Sequence, residues 1–213
     1  MSGKFDFKKE YKDLYLPKQK PMLIDVPSMN FMLIDGAGDP TQGEYQQAIE
    51  TLYALTFTIK MSKMSGNQPQ GYYEYVVPPL EGLWWISGGA FSFEERGNWL
   101  WTAMIRQPEF VIPGVFTWAL EECHRKKPGL DLSKARFETF TEGLCVQIMH
   151  IGPYADEPQS VALMESYIAE NDLIDQIGSE RKHHEIYLSD PRKTAPEKLK
   201  TVLRHPVAYS HKL

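Results

Sequence analysis

The order of predicted secondary-structure elements occurs twice along this chain, and this repetition constrains its fold more than any other feature. Residues 31–106 are predicted to form a strand, a helix and further strands, and residues 136–209 repeat that order. The first helix is predicted over 44–61, where apolar residues recur at spacings of three and four, and the second opens with Asp-Glu-Pro at 156–158. Two strand-helix-strand-strand units that share an antiparallel sheet make an α+β fold with pseudo-twofold symmetry and a central groove between the halves.

The rest of the chain is predicted to fit around these two units. The first 20 residues carry aromatic side chains among Lys, Asp and Glu, and we expect them to form an arm that docks by those rings. We expect a single domain over 1–213, with the arm at 1–21, repeat one at about 22–112 and repeat two at about 130–213. The further predicted elements are strands at 72–77, 83–87, 99–105, 136–151 with an interruption at 142–143, 185–189 and 205–209, a connector helix at 113–127, and one or two helical turns at 195–203.

Composition excludes several classes of protein. The 213 residues are 42% hydrophobic and 24% charged, which suits a folded globular protein rather than a disordered or fibrous one. A net charge of −5 argues against direct nucleic-acid binding, because that binding depends on Lys and Arg to neutralise phosphates. The two cysteines, Cys123 and Cys145, are too few for a disulfide framework and lack zinc-ligand spacing. With no signal-peptide core and no run of 18 apolar residues, we expect a cytoplasmic protein without membrane contact, metal or other cofactor. The oligomeric state stays open.

Aromatic residues are more abundant than one core of this size requires. They make up 12% of the chain, as 5 Trp, 11 Tyr and 10 Phe. Some of these rings are therefore candidates for lining a ligand site.

Four segments carry a likeness to a known family. They are Pro-Pro-Leu-Glu-Gly-Leu-Trp-Trp at 78–85, Trp-Thr-Ala-Met-Ile-Arg-Gln-Pro at 101–108, Glu-Gly-Leu-Cys-Val-Gln-Ile-Met-His-Ile-Gly-Pro-Tyr at 142–154, and His-Glu-Ile-Tyr-Leu-Ser-Asp-Pro at 184–191 followed by Pro-Glu-Lys-Leu-Lys at 196–200. Together they resemble the GyrI-like small-molecule-binding family over nearly the whole chain. The resemblance implies tandem strand-helix-strand-strand repeats, the effector-domain fold, with flat, apolar and often cationic compounds bound in the groove between the repeats.

The resemblance also narrows the expected activity. Multidrug-responsive activators of the family carry a helix-turn-helix segment ahead of the binding domain, and the arm of this chain is too short for one. The Leu-Trp-Trp and His-Glu-Ile-Tyr-Leu-Ser-Asp-Pro patterns look like those of the free-standing subfamily that hydrolyses the cyclopropane ring of DNA-alkylating natural products. That subfamily uses an aromatic cage and a glutamate in the groove, and the carry-over gives Glu185 as the glutamate.

The alternation of side chains along a strand supports the same residue independently. Over 183–188, Glu185 and Tyr187 share one face, and Ile186 and Leu188 share the other. We expect the apolar pair to lie under helices, which turns Glu185 and Tyr187 toward the groove. A carboxylate beside aromatic walls is suited to act as a general base, and when ionised it attracts cationic ligands. The alternative is that Glu185 lies on a solvated sheet face.

The rings of the cage are assigned from the same alternation. Residues 99 and 101 share a face, residues 84 and 85 do not, and Tyr154 follows Gly-Pro at a strand-to-helix corner where its ring can reach over the groove. Burial in the core is the alternative for each Trp. The predicted ligand-binding residues are Tyr154, Tyr187, Trp85, Trp101, Tyr73, Tyr75 and Met149.

Two kinds of function remain open at this level. The first is a cytoplasmic hydrolase that opens the cyclopropyl ring of a planar xenobiotic, with Glu185 as the catalytic base. The alternative is a non-catalytic multidrug-binding protein that sequesters or senses aromatic cations through cation–π contacts and the Glu185 charge. Gyrase inhibition through a protein partner is a third hypothesis, which depends on family analogy alone.

Overall fold

The computed structural model of the chain describes residues 3–87, 96–178 and 180–210. The helices in these residues are α1 Phe7–Glu10, α2 Lys12–Tyr15, α3 Gly43–Lys60, α4 Pro113–Lys126 and α5 Glu157–Glu170. The strands are β1 Met22–Val26, β2 Met29–Ala37, β3 Leu80–Ile86, β4 Trp99–Arg106, β5 Arg136–Phe140, β6 Gly143–Ile151, β7 Leu173–Asp175, β8 His183–Tyr187 and β9 Lys200–Tyr209. No helix within this part of the chain is long and apolar enough to cross a membrane.

The predicted α+β duplication is confirmed. The first unit is β2-α3-β3-β4 and the second is β6-α5-β8-β9. In the curled antiparallel sheet the strands follow the order β1-β6-β9-β8-β3-β4-β2-β5, with β7 paired to β9. The two units therefore face each other across the β3–β8 pair, where Gly82 lies directly opposite Glu185.

The first strand of each half pairs with the other half of the molecule. β1 lies against β6, and β5 lies against β2, both antiparallel. The two registers are continuous, because Val26 pairs with Gly143 and, three residues along, Met29 pairs with Phe140. Residues 22–37 and 136–151 thus form two long strands, interrupted at 27–28 and 141–142, that pair antiparallel with each other. Because this one pair supplies both ends of the strand order, the sheet has to curl.

The sheet has two differently covered faces. The face that carries Ile186, Met104 and Met149 is covered by the N-terminal arm, which inserts Phe7, Leu14 and Tyr15 into one apolar cluster. We call this the arm face, and we call the opposite one the helix face. On the helix face, α3 and α4 pack over the first unit and α5 packs over the second, in two separate clusters.

The arm behaves as the sequence predicts, but the covering of the β8 residues differs from the expectation. Ile186 does not lie under the long helices, because the arm occupies its side of the sheet. Glu185 and Tyr187 consequently share their face with α3 and α5. The alternation of side chains was predicted correctly, whereas the identity of the cover depended on where the arm docks.

Two predicted elements are wrong. Residues 72–77 do not form a strand; they contact the arm through a single parallel bridge between Tyr75 and Phe5, and their rings pack with Phe110 instead. The predicted helical turns at 195–203 shrink to one 3-10 turn, Pro196–Lys198, and the strand β9 begins at Lys200. Val202 and Leu203 are buried on opposite faces, so the side chains follow the two-residue period of a strand.

Candidate functional site

Glu185 lies at the centre of the helix face, at the junction of the two units. Its side chain is 8% exposed. Tyr187, two residues along β8, donates a hydrogen bond from its hydroxyl to Glu185 Oε2 at 2.6 Å, and His183 Nε2 lies 3.1 Å from Oε1. Gly82 stands opposite, and because it has no side chain, the Trp84 ring of the same strand occupies the space above it. One acidic group is thus held at both oxygens in a largely dry position.

An aromatic wall adjoins this carboxylate. Trp84 Nε1 donates a hydrogen bond to the Tyr187 hydroxyl at 3.1 Å, which links β3 to β8. The Tyr154 ring contacts the Tyr187 ring edge-on, with centroids 5.9 Å apart. Tyr45 of α3 packs against Trp84 at 5.2 Å and edge-on against Trp101 at 4.9 Å. Rings from both units therefore meet beside Glu185.

A second carboxyl group, Glu157, lies in the first turn of α5 and was not predicted. It is 2% exposed. Burial and the charge of Glu185 raise the pKa of Glu157 well above its ordinary range. The sequence signal was present in Asp-Glu-Pro at 156–158, but an acidic residue at that place is equally typical of a helix start.

Several buried polar atoms near these carboxyl groups have no hydrogen-bond partner among the described residues. They are Glu157 Oε1, Thr201 Oγ1, Tyr45 Oη and Trp101 Nε1. Thr201 lies directly opposite Tyr187 in the sheet register. An unsatisfied buried polar atom costs about 1–3 kcal/mol. Small side-chain rotations can remove part of that cost, because Thr201 lies beside Glu157 and Tyr45 lies beside Tyr187.

The tyrosines of the site are donors rather than bases. Burial and the Glu185 charge raise the pKa of Tyr187 well above its ordinary value. Burial, with the charges of Glu157 and Glu185, raises the pKa of Tyr154 to about 12. Both hydroxyls keep their protons at physiological pH.

The structure brings together four of the sequence-predicted site residues. Glu185, Tyr187, Tyr154 and Trp101 lie on the helix face, with Trp101 one layer behind, against Tyr45. Residue 101 is fully buried, so its contact with a ligand would pass through Tyr45.

The other predicted ring and methionine positions lie away from Glu185. Trp85 packs on the arm face, where Lys182 Nζ lies 4.3 Å from its ring centroid, and Met149 belongs to the arm-face cluster. Tyr73 and Tyr75 pack with Phe110 beside the arm. Trp84 and Trp85 lie on opposite faces of β3, and Trp84, not the predicted Trp85, is on the face of Glu185. The sequence did not indicate which face the arm covers. Trp84 and Tyr45 are the rings that the sequence reasoning missed.

A buried charged network supports β8 from the arm face. His184 Nδ1 lies 2.9 Å from Glu142 Oε1, and its Nε2 lies 3.0 Å from Glu81 Oε2. Arg204 Nη1 donates to Glu142 Oε2 at 3.2 Å. Although burial opposes it, the charges of His184 and Arg204 lower the pKa of Glu142 to about 2. Burial lowers the pKa of His184, but the charges and hydrogen bonds of Glu142 and Glu81 outweigh it and raise that pKa to about 9.

No group of three or more His, Cys, Asp or Glu side chains within the described ranges could hold a metal ion. The charged clusters on both faces are instead paired among themselves. The chemistry available around Glu185 on the helix face is that of two carboxyl groups, neutral phenols and the imidazoles of His183 and His205.

Comparisons with known proteins agree with this architecture. A structure described as an uncharacterized conserved protein from Listeria innocua is 52% identical, covers 96% of this chain and 100% of its own, and superposes with a TM-score of 0.93. A structure described as a hydrolase from Listeria innocua is 50% identical, with coverages of 96% and 100% and a TM-score of 0.89. No curated protein sequence matches.

A more distant likeness concerns the fold alone. The EcmrR C-terminal domain is 11% identical over 89% of this chain and 98% of its own, with a TM-score of 0.54. The model of the GyrI-like small molecule binding domain matches residues 19–208, which include both repeats and the whole helix-face site. The chain therefore belongs to the GyrI-like family of small-molecule-binding domains.

Proposed function

We propose that this protein is a hydrolase that opens the cyclopropane ring of a planar, DNA-alkylating natural product and so protects the cell. The observation that carries the proposal is that two carboxyl groups, Glu185 and Glu157, are both buried, and that burial and the charge of Glu185 raise the pKa of Glu157. Two carboxyl groups whose environments separate their protonation states are the ordinary arrangement for general base and general acid. The name hydrolase given to a Listeria innocua structure of 50% identity supports the reaction type.

Glu185 is the base in this proposal. The ionised carboxylate accepts two hydrogen bonds, from the Tyr187 hydroxyl at Oε2 and from His183 Nε2–H at Oε1, and these fix its plane. It accepts a proton from a water molecule whose oxygen attacks the methylene carbon of the three-membered ring. Orienting water and carbon together removes much of the entropic barrier to this step.

The electron pair of the broken carbon–carbon bond needs an acceptor. In a cyclopropane fused to a conjugated dienone, that pair moves through the ring system to the carbonyl oxygen, which becomes a phenolate. Glu157, whose pKa is raised by burial and by the charge of Glu185, is the acid that protonates this oxygen in the proposal. One water is consumed, one carbon–carbon bond breaks, and the product carries an alcohol and a phenol.

The aromatic wall selects the substrate class. Trp84, Tyr187 and Tyr154 offer ring faces and edges beside the carboxylate, and planar apolar molecules stack on such surfaces. These contacts support the cyclopropanoid substrate that the sequence resemblance implies.

The same features favour one alternative, a protein that binds aromatic cations without turning them over. A buried carboxylate with rings beside it stabilises a cationic ligand by charge and by cation–π contact. Sequestration then gives the protection, and Glu157 has no chemical role.

Incubation with a cyclopropyl-indole-type compound, followed by mass spectrometry, separates the two. A hydrolase yields a product heavier by one water, and Glu185→Gln slows its formation by about 10²- to 10⁴-fold, as expected for loss of a general base. Glu157→Gln lowers the rate through loss of the acid, whereas the exposed Glu170→Gln on the same helix retains the wild-type rate. Tight binding with unchanged ligand mass refutes the hydrolase and supports sequestration.

A further inference from the structure

A continuous row of hydrogen bonds leads from Glu185 to the protein surface. Glu185 Oε1 lies 3.1 Å from His183 Nε2, and His183 Nδ1 lies 3.0 Å from His205 Nε2. His205 Nδ1 lies 3.0 Å from Asp175 Oδ2. The two imidazoles are buried, while the Asp175 side chain is 35% exposed.

Three strands place these groups side by side. His183 and Glu185 are two residues apart on β8 and so share its helix face, and β9 brings His205 beside them. β7 pairs with the end of β9 and sets Asp175 next to His205. The backbone N–H of Ile177 donates to Asp175 Oδ1 at 2.8 Å, so Oδ2 is aimed at the imidazole.

The proton count of the row allows transfer along it. Three hydrogen bonds join two carboxyl groups through two imidazoles, and three protons fill them. These protons fit equally when the mobile one is on Glu185, on the imidazole pair or on Asp175, because each imidazole can accept at one nitrogen while it donates at the other. A proton that enters at Glu185 can therefore leave at Asp175 by a concerted shift.

We propose that His183, His205 and Asp175 form a proton relay that returns Glu185 to its basic form after each turnover. This inference rests on the proposed function, in which Glu185 takes a proton from water while Glu157 gives one to the product. After one cycle Glu185 is protonated and Glu157 is not. The relay releases the first proton to solvent at Asp175 and leaves both imidazoles protonated at Nε2. Proton exchange with water that restores their Nδ1–H forms, together with uptake of a proton by Glu157, then closes the cycle without net change.

Several charged and phenolic groups of the described residues lie beside the row, and its three hydrogen bonds are formed in their presence. Tyr187 and Tyr45 face Glu185 as neutral phenols, and Glu157 interacts with it by charge. Glu165, exposed on α5, influences His205 electrostatically. Glu165→Gln is thus a matched control, which removes a neighbouring negative charge and leaves every hydrogen bond of the row in place.

The first test needs no substrate. The protein with ¹⁵N-labelled histidine is titrated by NMR, and the ring nitrogens of His183 and His205 report tautomer and protonation. If the row shares its protons, Asp175→Asn changes the titration of both rings, although Asp175 touches only His205, and Glu165→Gln leaves both tautomers as in wild type. A response confined to His205 overturns the relay.

The second test uses turnover of the cyclopropyl-indole-type compound. In dilute buffer, Asp175→Asn and His205→Gln are expected to lower kcat by about 10-fold or more with KM unchanged, and added imidazole buffer restores kcat by accepting the proton directly. Variants that equal wild type in dilute buffer, or that no buffer rescues, overturn the relay. Absence of turnover by the wild type, with the two-ring NMR response intact, overturns the proposed hydrolase and retains the relay.

Discussion

The His184 network on the arm face makes the stability of this protein depend on pH in a defined direction. In the native state His184 is enclosed by Glu142 and Glu81, and its pKa is raised from 6.5 to about 9. The native protein therefore binds more protons than the unfolded chain between these two pH values. Stability supplied by His184 is complete below pH 6.5 and is lost as the pH rises through about 9.

The size of the effect follows from the same two values. One pKa unit corresponds to about 1.4 kcal/mol, so the shift of His184 amounts to about 3 kcal/mol of unfolding free energy. Glu142, with its pKa lowered to about 2, acts at the other end of the scale: its contribution is present above pH 4.5 and is lost as the pH falls toward 2. Between these windows, from about pH 4.5 to 6.5, both contributions are complete.

Urea unfolding at pH 6 and pH 9.5 measures this directly for wild type and His184→Gln. Glutamine still reaches the neighbouring carboxylates but does not titrate, so the alkaline loss of about 3 kcal/mol should be confined to wild type. Other titrating groups affect both proteins alike and cancel in the difference. Equal losses in the two proteins would refute the assignment of a charged, native-state imidazolium at His184.

Two further predictions concern the aromatic residues. Trp84→Phe removes the donor to the Tyr187 hydroxyl and should slow turnover by about 3- to 10-fold, which corresponds to the loss of one hydrogen bond. The control, Trp85→Phe on the arm face, should leave the rate of product formation unchanged. Gly36→Ala places a methyl group inside the Trp101 ring and should lower the unfolding free energy by about 1–3 kcal/mol in urea titrations, while Gly114→Ala, with open space around it, should not destabilise the protein.

The fold could be predicted from the sequence because its periodic elements are long. The apolar spacing of α3 and the Pro-led starts of α4 and α5 place these helices within a few residues. The short β7 and the extent of β9 could not be predicted in the same way, because three residues carry little periodicity and the Lys residues of 196–204 also suit a helix. These segments are strands because they pair with neighbouring strands in the sheet.

The site could be predicted only in part, for a similar reason. Side-chain alternation places Glu185 with Tyr187, but it does not tell which cover lies over which face. The arm decides this, because Leu14 and Tyr15 cover the face of β8 that carries Ile186, and the helices cover the opposite face. Glu157 became a site residue through burial and the nearby charge of Glu185, neither of which is a property of its own segment.

The pairing of the two long strands, 22–37 and 136–151, has a consequence for how the molecule folds and for whether its chain can be cut into two fragments. Because β1 and β5 each complete the sheet of the opposite half, neither half closes its own edge, and the two are expected to gain structure in one cooperative step. The contacts that hold them together join residues more than 100 positions apart, which makes folding slow for a chain of this size. The covalent link through 107–135 is not what unites the halves. Two polypeptides cut within that link should find each other in solution and rebuild the pairing of the two long strands without it.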